Sequence, residues 1–111
     1  MNNISIIIPT KNEEKNIAQL LSYFNYADKN IQYETIVIDD SDDNTTIIAK
    51  ANNATKVING RRKGLGQAII DGIANASGNI IVVMDADLSH NPLSINNLIK
   101  PIINNGYDMT V

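Results

Sequence analysis

Two aspartates, Asp85 and Asp87, follow an apolar and mostly β-branched run, Asn79-Ile80-Ile81-Val82-Val83. Such a run reads as a buried parallel strand. The pair therefore stands where a strand ends and a loop opens, the edge at which open α/β sheets bind ligands. Residues two apart in extended backbone project from the same side. Two hard oxygen ligands so placed suit Mg²⁺ or Mn²⁺, which share their coordination with substrate phosphates. The plainer reading is a solvated acidic turn in which Asp87 or Ser89 caps the next helix. Two other acidic strand exits shift the balance. Glu13 lies in Pro9-Thr10-Lys11-Asn12-Glu13, just after the run Ile4–Ile8, and Asp39-Asp40 close the run Tyr33–Ile38. A carboxylate at that second exit can accept a hydrogen bond from a base N–H or a ribose hydroxyl, or can cap the helix that starts near Asn44. Acidic exits from three strands on one edge build a cleft that repels itself unless a cation or polar ligand joins it.

The other chemistry-bearing types say less. Gly64-Leu65-Gly66 lacks the spacing of a phosphate loop or a dinucleotide fingerprint and reads as a flexible helix entry. Arg61-Arg62-Lys63 could approach a diphosphate, although charge runs are usually solvated. His90, the single histidine, has no partner pattern for a catalytic triad and at most shapes the loop after Asp87.

These residues need a frame, and the chain alternates to supply one. Apolar runs at Ile4–Ile8, Tyr33–Ile38, Thr55–Ile58 and Asn79–Met84 predict four strands, the first stopped by Pro9. Between them, helical spacing predicts helices over Glu13–Phe24, capped by Thr10 or Asn12, then through Ile47, Ile48 and Ala51, and over Gly64–Ala76. The last of these turns Ala68, Ile69 and Ile73 inward and closes at Gly78. Pro92 opens a further helix with Leu93, Leu98, Ile99 and Ile102 on its apolar face and a kink at Pro101. A fifth strand begins at Tyr107–Val111. This order predicts one α/β domain over 1–111, a mostly parallel sheet with helices on both faces.

Composition narrows the class. With 111 residues, 43% hydrophobic content and a net charge of −3, the chain reads as one globular domain without a basic stripe, so no nucleic acid is expected as partner. Zero cysteines exclude disulfides and thiolate metal sites and fit a reducing compartment. No apolar run approaches the length of a membrane span or a secretory signal.

Four segments occur together in the order and spacing of a known family: Ile6-Ile7-Ile8-Pro9-Thr10-Lys11-Asn12-Glu13, Val37-Ile38-Asp39-Asp40-Ser41, Lys63-Gly64-Leu65-Gly66 and Val83-Met84-Asp85-Ala86-Asp87-Leu88-Ser89-His90. The chain resembles the inverting glycosyltransferases of the GT-A fold, family 2 type, and within them the dolichol-phosphate mannose synthase group. The resemblance covers essentially the whole chain, and its Asp-Ala-Asp-Leu-Ser-His stretch is the most specific part. It implies a Rossmann-like nucleotide-sugar-binding domain. Pro9, Lys11, Glu13, Ile38, Asp39, Asp40, Asp85, Ala86 and Asp87 would then line the donor site, with Asp39 or Asp40 at the base or ribose. Asp85, Asp87 and Ser89 would hold Mg²⁺ or Mn²⁺ against the donor diphosphate, and Asp87 is the residue assigned to catalysis. The implied reaction moves a sugar, mannose from GDP-mannose, to a polyprenyl or dolichyl phosphate at the cytoplasmic face of a membrane. Two departures stand out: Lys11 replaces a common aromatic, and Ser89 replaces a frequent Gln. The segments that would complete the sheet and hold the acceptor are not in this sequence. The expectation is therefore a donor- and metal-binding half that self-associates and does not transfer sugar alone. Two alternatives lack their marks here. A receiver-type phosphoacceptor module needs its acidic pair after the first strand. A sugar-phosphate nucleotidyltransferase needs a Gly-rich loop with an Arg there.

Overall fold

Isoleucine and valine crowd the strand stretches of this sequence, and their stiff, branched side chains favour the pleated, buried surface of a sheet. The computed structural model describes residues 2–25, 31–84, 86 and 109–110. Its elements run β1 (Asn2–Thr10), α1 (Ile17–Asn25), β2 (Ile31–Asp39), α2 (Thr45–Ala51), β3 (Lys56–Asn59), α3 (Leu65–Ala74), β4 (Ile80–Val83) and β5 (Met109–Thr110). The strands form one sheet in the order β3-β2-β1-β4-β5, and every pairing is parallel. This is the doubly wound order that steps outward from β1 in both directions. It differs from the 2-1-3-4-5 order of receiver-type modules.

Side-chain alternation sends each strand's residues to two different cores. On one face Ile4, Ile6, Ile8, Val37 and Val82 pack beneath Ile17, Leu20, Leu21 and Phe24 of α1 and Ala49 of α2. On the other, Ile36 and Ile38 pack beneath Ala68 of α3. Each fully buried isoleucine contributes roughly 1.5–3 kcal/mol of hydrophobic stabilisation. Having α1 and α2 on one face and α3 on the other follows from right-handed crossovers that run first one way across the sheet and then back.

Several element boundaries differ from the sequence expectation. Strand β1 runs through Pro9 to Thr10. Its β4 partner ends opposite Ile7, so Pro9 pairs only with β2, at Ile38, where a missing N–H toward β4 costs nothing. Helix α1 starts at Ile17 rather than Glu13; ahead of it the amides of Glu13 and Glu14 are bonded to the side chains of Thr45 and Asp43. Thr10 and Asn12 do not cap it, since their side chains bond Asp39 and the Asp42 amide. On α3 the inward stripe is Ala68 and Gly72; Ile73 is exposed and Ile69 half-buried. The helix lies so close to β1 that a Cβ at Gly72 would stand 2.4 Å from Ile7 Cγ2. Ile47 is likewise exposed, and the buried residues of α2 are Thr45 and Ala49. Helix α3 ends at Ala74, with Gly78 beyond it in the approach to β4. Of the predicted fifth strand, Met109 and Thr110 pair with Ile81 and Val82; its remainder and the helix from Pro92 lie outside the described residues. Among the described residues no helix is long and apolar enough to cross a membrane.

Candidate active site

The C-terminal ends of β1, β2, β3 and β4 share one edge, and a doubly wound sheet has its crevice there, between the strands where the winding reverses. Here those strands are β1 and β4. A cavity of about 430 Å³ occupies that place. The exit of β1 supplies Pro9, Thr10, Lys11 and Glu13; the exit of β2 supplies Asp40. Ala86 closes the β4 side, and Arg62, Gly64, Leu65 and Ala68 form the wall from β3 into α3. The lining thus pairs an apolar patch with two carboxylates, Glu13 and Asp40, and two cationic side chains, Lys11 and Arg62. That combination suits a ligand with a ring, hydroxyls and an anionic group.

The loops around the cavity are tied to one another across long sequence distances. Asn12, in the left-handed region at φ 57°, donates its N–H to Ser41 Oγ at 2.7 Å and accepts from the Asp42 N–H at 3.0 Å. The Glu13 N–H donates to Thr45 Oγ1 at 3.0 Å, and the Asn44 N–H donates to Glu14 Oε2 at 3.1 Å. The Gly60 N–H reaches the Asp39 carbonyl at 2.8 Å and so brings the β3 exit onto β2. Arg61 is fixed to Asp71 of α3 at 2.7 Å, and its guanidinium holds the Asp71 carboxyl below the usual carboxylate range. The described loops on the β1, β2 and β3 side of the cavity are thus held in place by the fold itself.

The two adjacent aspartates of the β2 exit are in different situations. Asp39 is buried, and its carboxylate accepts from Thr10 Oγ1 at 2.7 Å, from the Ser41 N–H and hydroxyl, and from Thr46 Oγ1. It ties β1, the β2 exit and α2 together. Asp40 borders the cavity, and its Oδ1 accepts from the Arg62 N–H at 3.1 Å. Neither aspartate caps α2, whose first turn is served by Asp43 through the Thr45 N–H at 2.9 Å.

Of the residues singled out in the sequence, Pro9, Lys11, Glu13, Asp40 and Ala86 border this one cavity. Ile38 and Asp39 lie beneath it, buried. Asp85, Asp87 and Ser89 fall outside the described residues, as does His90. Ala86, between the two aspartates, is in the cavity wall. Among the described residues no cluster of three or more His, Cys, Asp or Glu side chains could hold a metal ion. Sequence reasoning gave Leu65 no site role, placed Ala68 among the inward residues of its helix, and left Arg62 between a diphosphate contact and a solvated charge run. The available signal was topological, because the third strand must exit on the same edge as the others.

The sequence pattern of glycosyl transferase family 2 matches residues 5–111. A dolichol-phosphate mannosyltransferase of Pyrococcus furiosus is 42% identical over 97% of this chain and 32% of its own length. An undecaprenyl-phosphate 4-deoxy-4-formamido-L-arabinose transferase of Proteus mirabilis is 32% identical over 98% of this chain and 36% of its own. Glucosyl-3-phosphoglycerate synthase from Mycobacterium tuberculosis, solved with Mn²⁺, uridine diphosphate and phosphoglyceric acid, superposes with a TM-score of 0.79 at 31% identity. That match covers 91% of this chain and 39% of the synthase. The fold is that of the GT-A glycosyltransferases, and the chain spans about a third of the length of the curated relatives it matches.

Proposed function

Because the chain belongs to glycosyl transferase family 2, we propose that it carries the donor-binding part of a glycosyltransferase. The proposed reaction moves a sugar from a nucleotide donor to a polyprenyl phosphate. The carrying observation is the cavity at the β1/β4 crevice, which places Asp40, Lys11 and Arg62 around an apolar patch of Pro9, Leu65 and Ala68. In this reading Asp40 accepts a hydrogen bond from the base or ribose, and the apolar patch lies against the ring. Lys11 and Arg62 supply positive charge for the anionic part of the donor. Asp39 acts beneath the site, holding the β1 and β2 exits in register.

The donor in this reading is GDP-mannose, by analogy with the mannosyltransferase relative, and the acceptor is a polyprenyl phosphate, as named for both curated relatives. An acceptor phosphate oxygen attacks the anomeric carbon as the bond to the donor diphosphate breaks. Positioning supplies much of the rate of such a displacement. Asp85, Asp87 and Ser89 are the residues proposed to hold Mg²⁺ or Mn²⁺; the synthase solved with Mn²⁺ supports a divalent ion in such a site. The ion would neutralise charge on the departing diphosphate.

Calorimetric titration with GDP and UDP, with and without Mn²⁺, tests this reading. Asp40→Asn is expected to weaken nucleotide binding by roughly 1.5–3 kcal/mol, the value of a hydrogen bond to a charged group, with little change in melting temperature. Asp39→Asn is expected to lower the melting temperature, since its carboxylate satisfies the Thr10, Ser41 and Thr46 hydroxyls. Undiminished nucleotide affinity in Asp40→Asn would defeat the assignment. Mannolipid formation from radiolabelled GDP-mannose and a polyprenyl phosphate, by the chain or the full protein that contains it, tests the donor and acceptor.

A further inference from the structure

We propose that Gly60 is a specificity-determining position of the donor pocket, where the absence of a side chain makes the niche that receives the Asp40 carboxylate. This rests on the reading of the cavity as a nucleotide site. A Cβ built on Gly60 would stand 2.0 Å from Asp40 Oδ1, 2.5 Å from its Cγ and 2.7 Å from Oδ2. Atoms cannot approach so closely, so the carboxylate occupies the space that any other residue would fill. The niche is fixed in place from both sides. The Gly60 N–H donates to the Asp39 carbonyl at 2.8 Å, one residue before Asp40. Two residues on, the Arg62 N–H donates to Asp40 Oδ1 at 3.1 Å. Arg62 adopts φ 53° to do so, a left-handed conformation uncommon outside glycine. The segment 60–62 thus wraps the carboxylate: one oxygen is pinned by a backbone amide, and the whole group lies over the glycine.

The backbone of Gly60 itself is not in the left-handed region, so an alanine there meets no strain of its own. Its conflict is with the movable end of one side chain. The fold can therefore accept Gly60→Ala by rotating Asp40 out of its niche, and what is lost is the direction in which Asp40 presents its oxygens. A carboxylate that reads ring N–H groups or ribose hydroxyls depends on that direction, because hydrogen bonds weaken steeply off axis. Gly60 is in this sense a positioning residue that acts through Asp40.

Three variants, Gly60→Ala, Asp40→Ala and the double, are titrated with GDP, with UDP and with inorganic pyrophosphate in the presence of Mn²⁺, and their melting temperatures are recorded. Gly60→Ala and Asp40→Ala are each expected to weaken the better-bound nucleotide about tenfold or more. The double variant should be no weaker than Asp40→Ala, and pyrophosphate affinity should be unchanged in all three. The double also removes the steric conflict, so it shows whether any fall in the melting temperature of Gly60→Ala comes from Asp40. Parental nucleotide affinity in Gly60→Ala, additive losses in the double, or an equal loss of pyrophosphate affinity would each overturn the role of Gly60. Unchanged affinity in Asp40→Ala would instead overturn the reading of the pocket.

Discussion

Glu34 within strand β2 and Asp40 just past its end are two carboxylates that the fold treats in opposite ways. Glu34, near the N-terminal edge, stands beside Ser5 of β1 and is saturated from within the protein. It accepts from Ser5 Oγ at 2.7 Å, from the Ser77 N–H at 2.9 Å and hydroxyl at 3.0 Å, and pairs with Lys56 at 3.1 Å. Asp40, just past the C-terminal end, has a backbone amide on one oxygen and an open cavity beside it. The N-terminal edge also borders a hollow, of about 420 Å³, yet Glu34, the carboxylate among its described lining residues, is committed to neighbours. Hollow volume does not distinguish the two edges. The distinguishing property is whether the polar groups at the wall have been satisfied by the fold itself.

The largest effect is expected at the N-terminal edge, where Gly78 meets rigid backbone. A Cβ at Gly78 would stand 2.6 Å from Ser5 Oγ and 2.9 Å from both the Asn3 carbonyl oxygen and the Ser5 nitrogen. Unlike the Asp40 carboxylate over Gly60, β1 backbone atoms cannot rotate away. Gly78→Ala should therefore cost roughly 2–4 kcal/mol, in the upper range for overpacking. It would also pull the Gly78 N–H from Ser5 Oγ, now 2.9 Å away. Urea unfolding measures it. A loss as small as that of Gly60→Ala would erase the contrast between the two glycines.

The Glu34 cluster is expected to show next, through pH. Burial pushes the Glu34 carboxyl upward, but the Ser77 N–H, the Ser5 hydroxyl, Lys56 and the Ser77 hydroxyl together hold it at about 2, against an ordinary 4.5. The folded state thus binds this proton less readily than the unfolded state. Its stabilisation is complete above pH 4.5 and is lost as pH falls toward 2, by roughly 1–3 kcal/mol in all. Melting temperatures across that window should fall more steeply for the parent than for Glu34→Gln. Parallel curves would mean that the Glu34 cluster carries no net electrostatic stabilisation.

What could be read from the sequence divides along the same line. The buried strands were legible because β-branched runs leave little choice, and the acidic exits were legible because a strand end fixes which edge they reach. Pro9 was misread as a stop, since nothing local says that β4 ends two residues short of it. The stripe of α3 was misread because Gly72 presents its backbone to Ile7, a close approach that apolar counting cannot find. The hydroxyls around Asp39 come from Thr10, Ser41 and Thr46, which only the assembled sheet edge brings together. Gly60 carried no signal either, because its meaning is a distance to Asp40.

The smallest effect concerns Arg62 and Asp42, paired at 2.7 Å with side chains 58% and 72% exposed. An ion pair this exposed is worth about 0–1 kcal/mol, so Asp42→Asn should leave the melting temperature nearly unchanged. The same substitution removes the counter-charge of a guanidinium that borders the cavity. If the C-terminal edge is held ready for an anionic donor, Arg62 then presents an uncompensated cation to it. GDP affinity should rise, about two- to threefold at low ionic strength, and the gain should fade as added salt shortens the screening length. The Asp42 N–H still bonds Asn12 Oδ1 in the variant, so the loop keeps its place and the change is one of charge. A gain that persists at high salt would point to loop rearrangement. A loss of affinity would mean that Asp42 orients Arg62 toward the donor, and the contrast between a satisfied edge and an open one would then have to include this pair on the satisfied side.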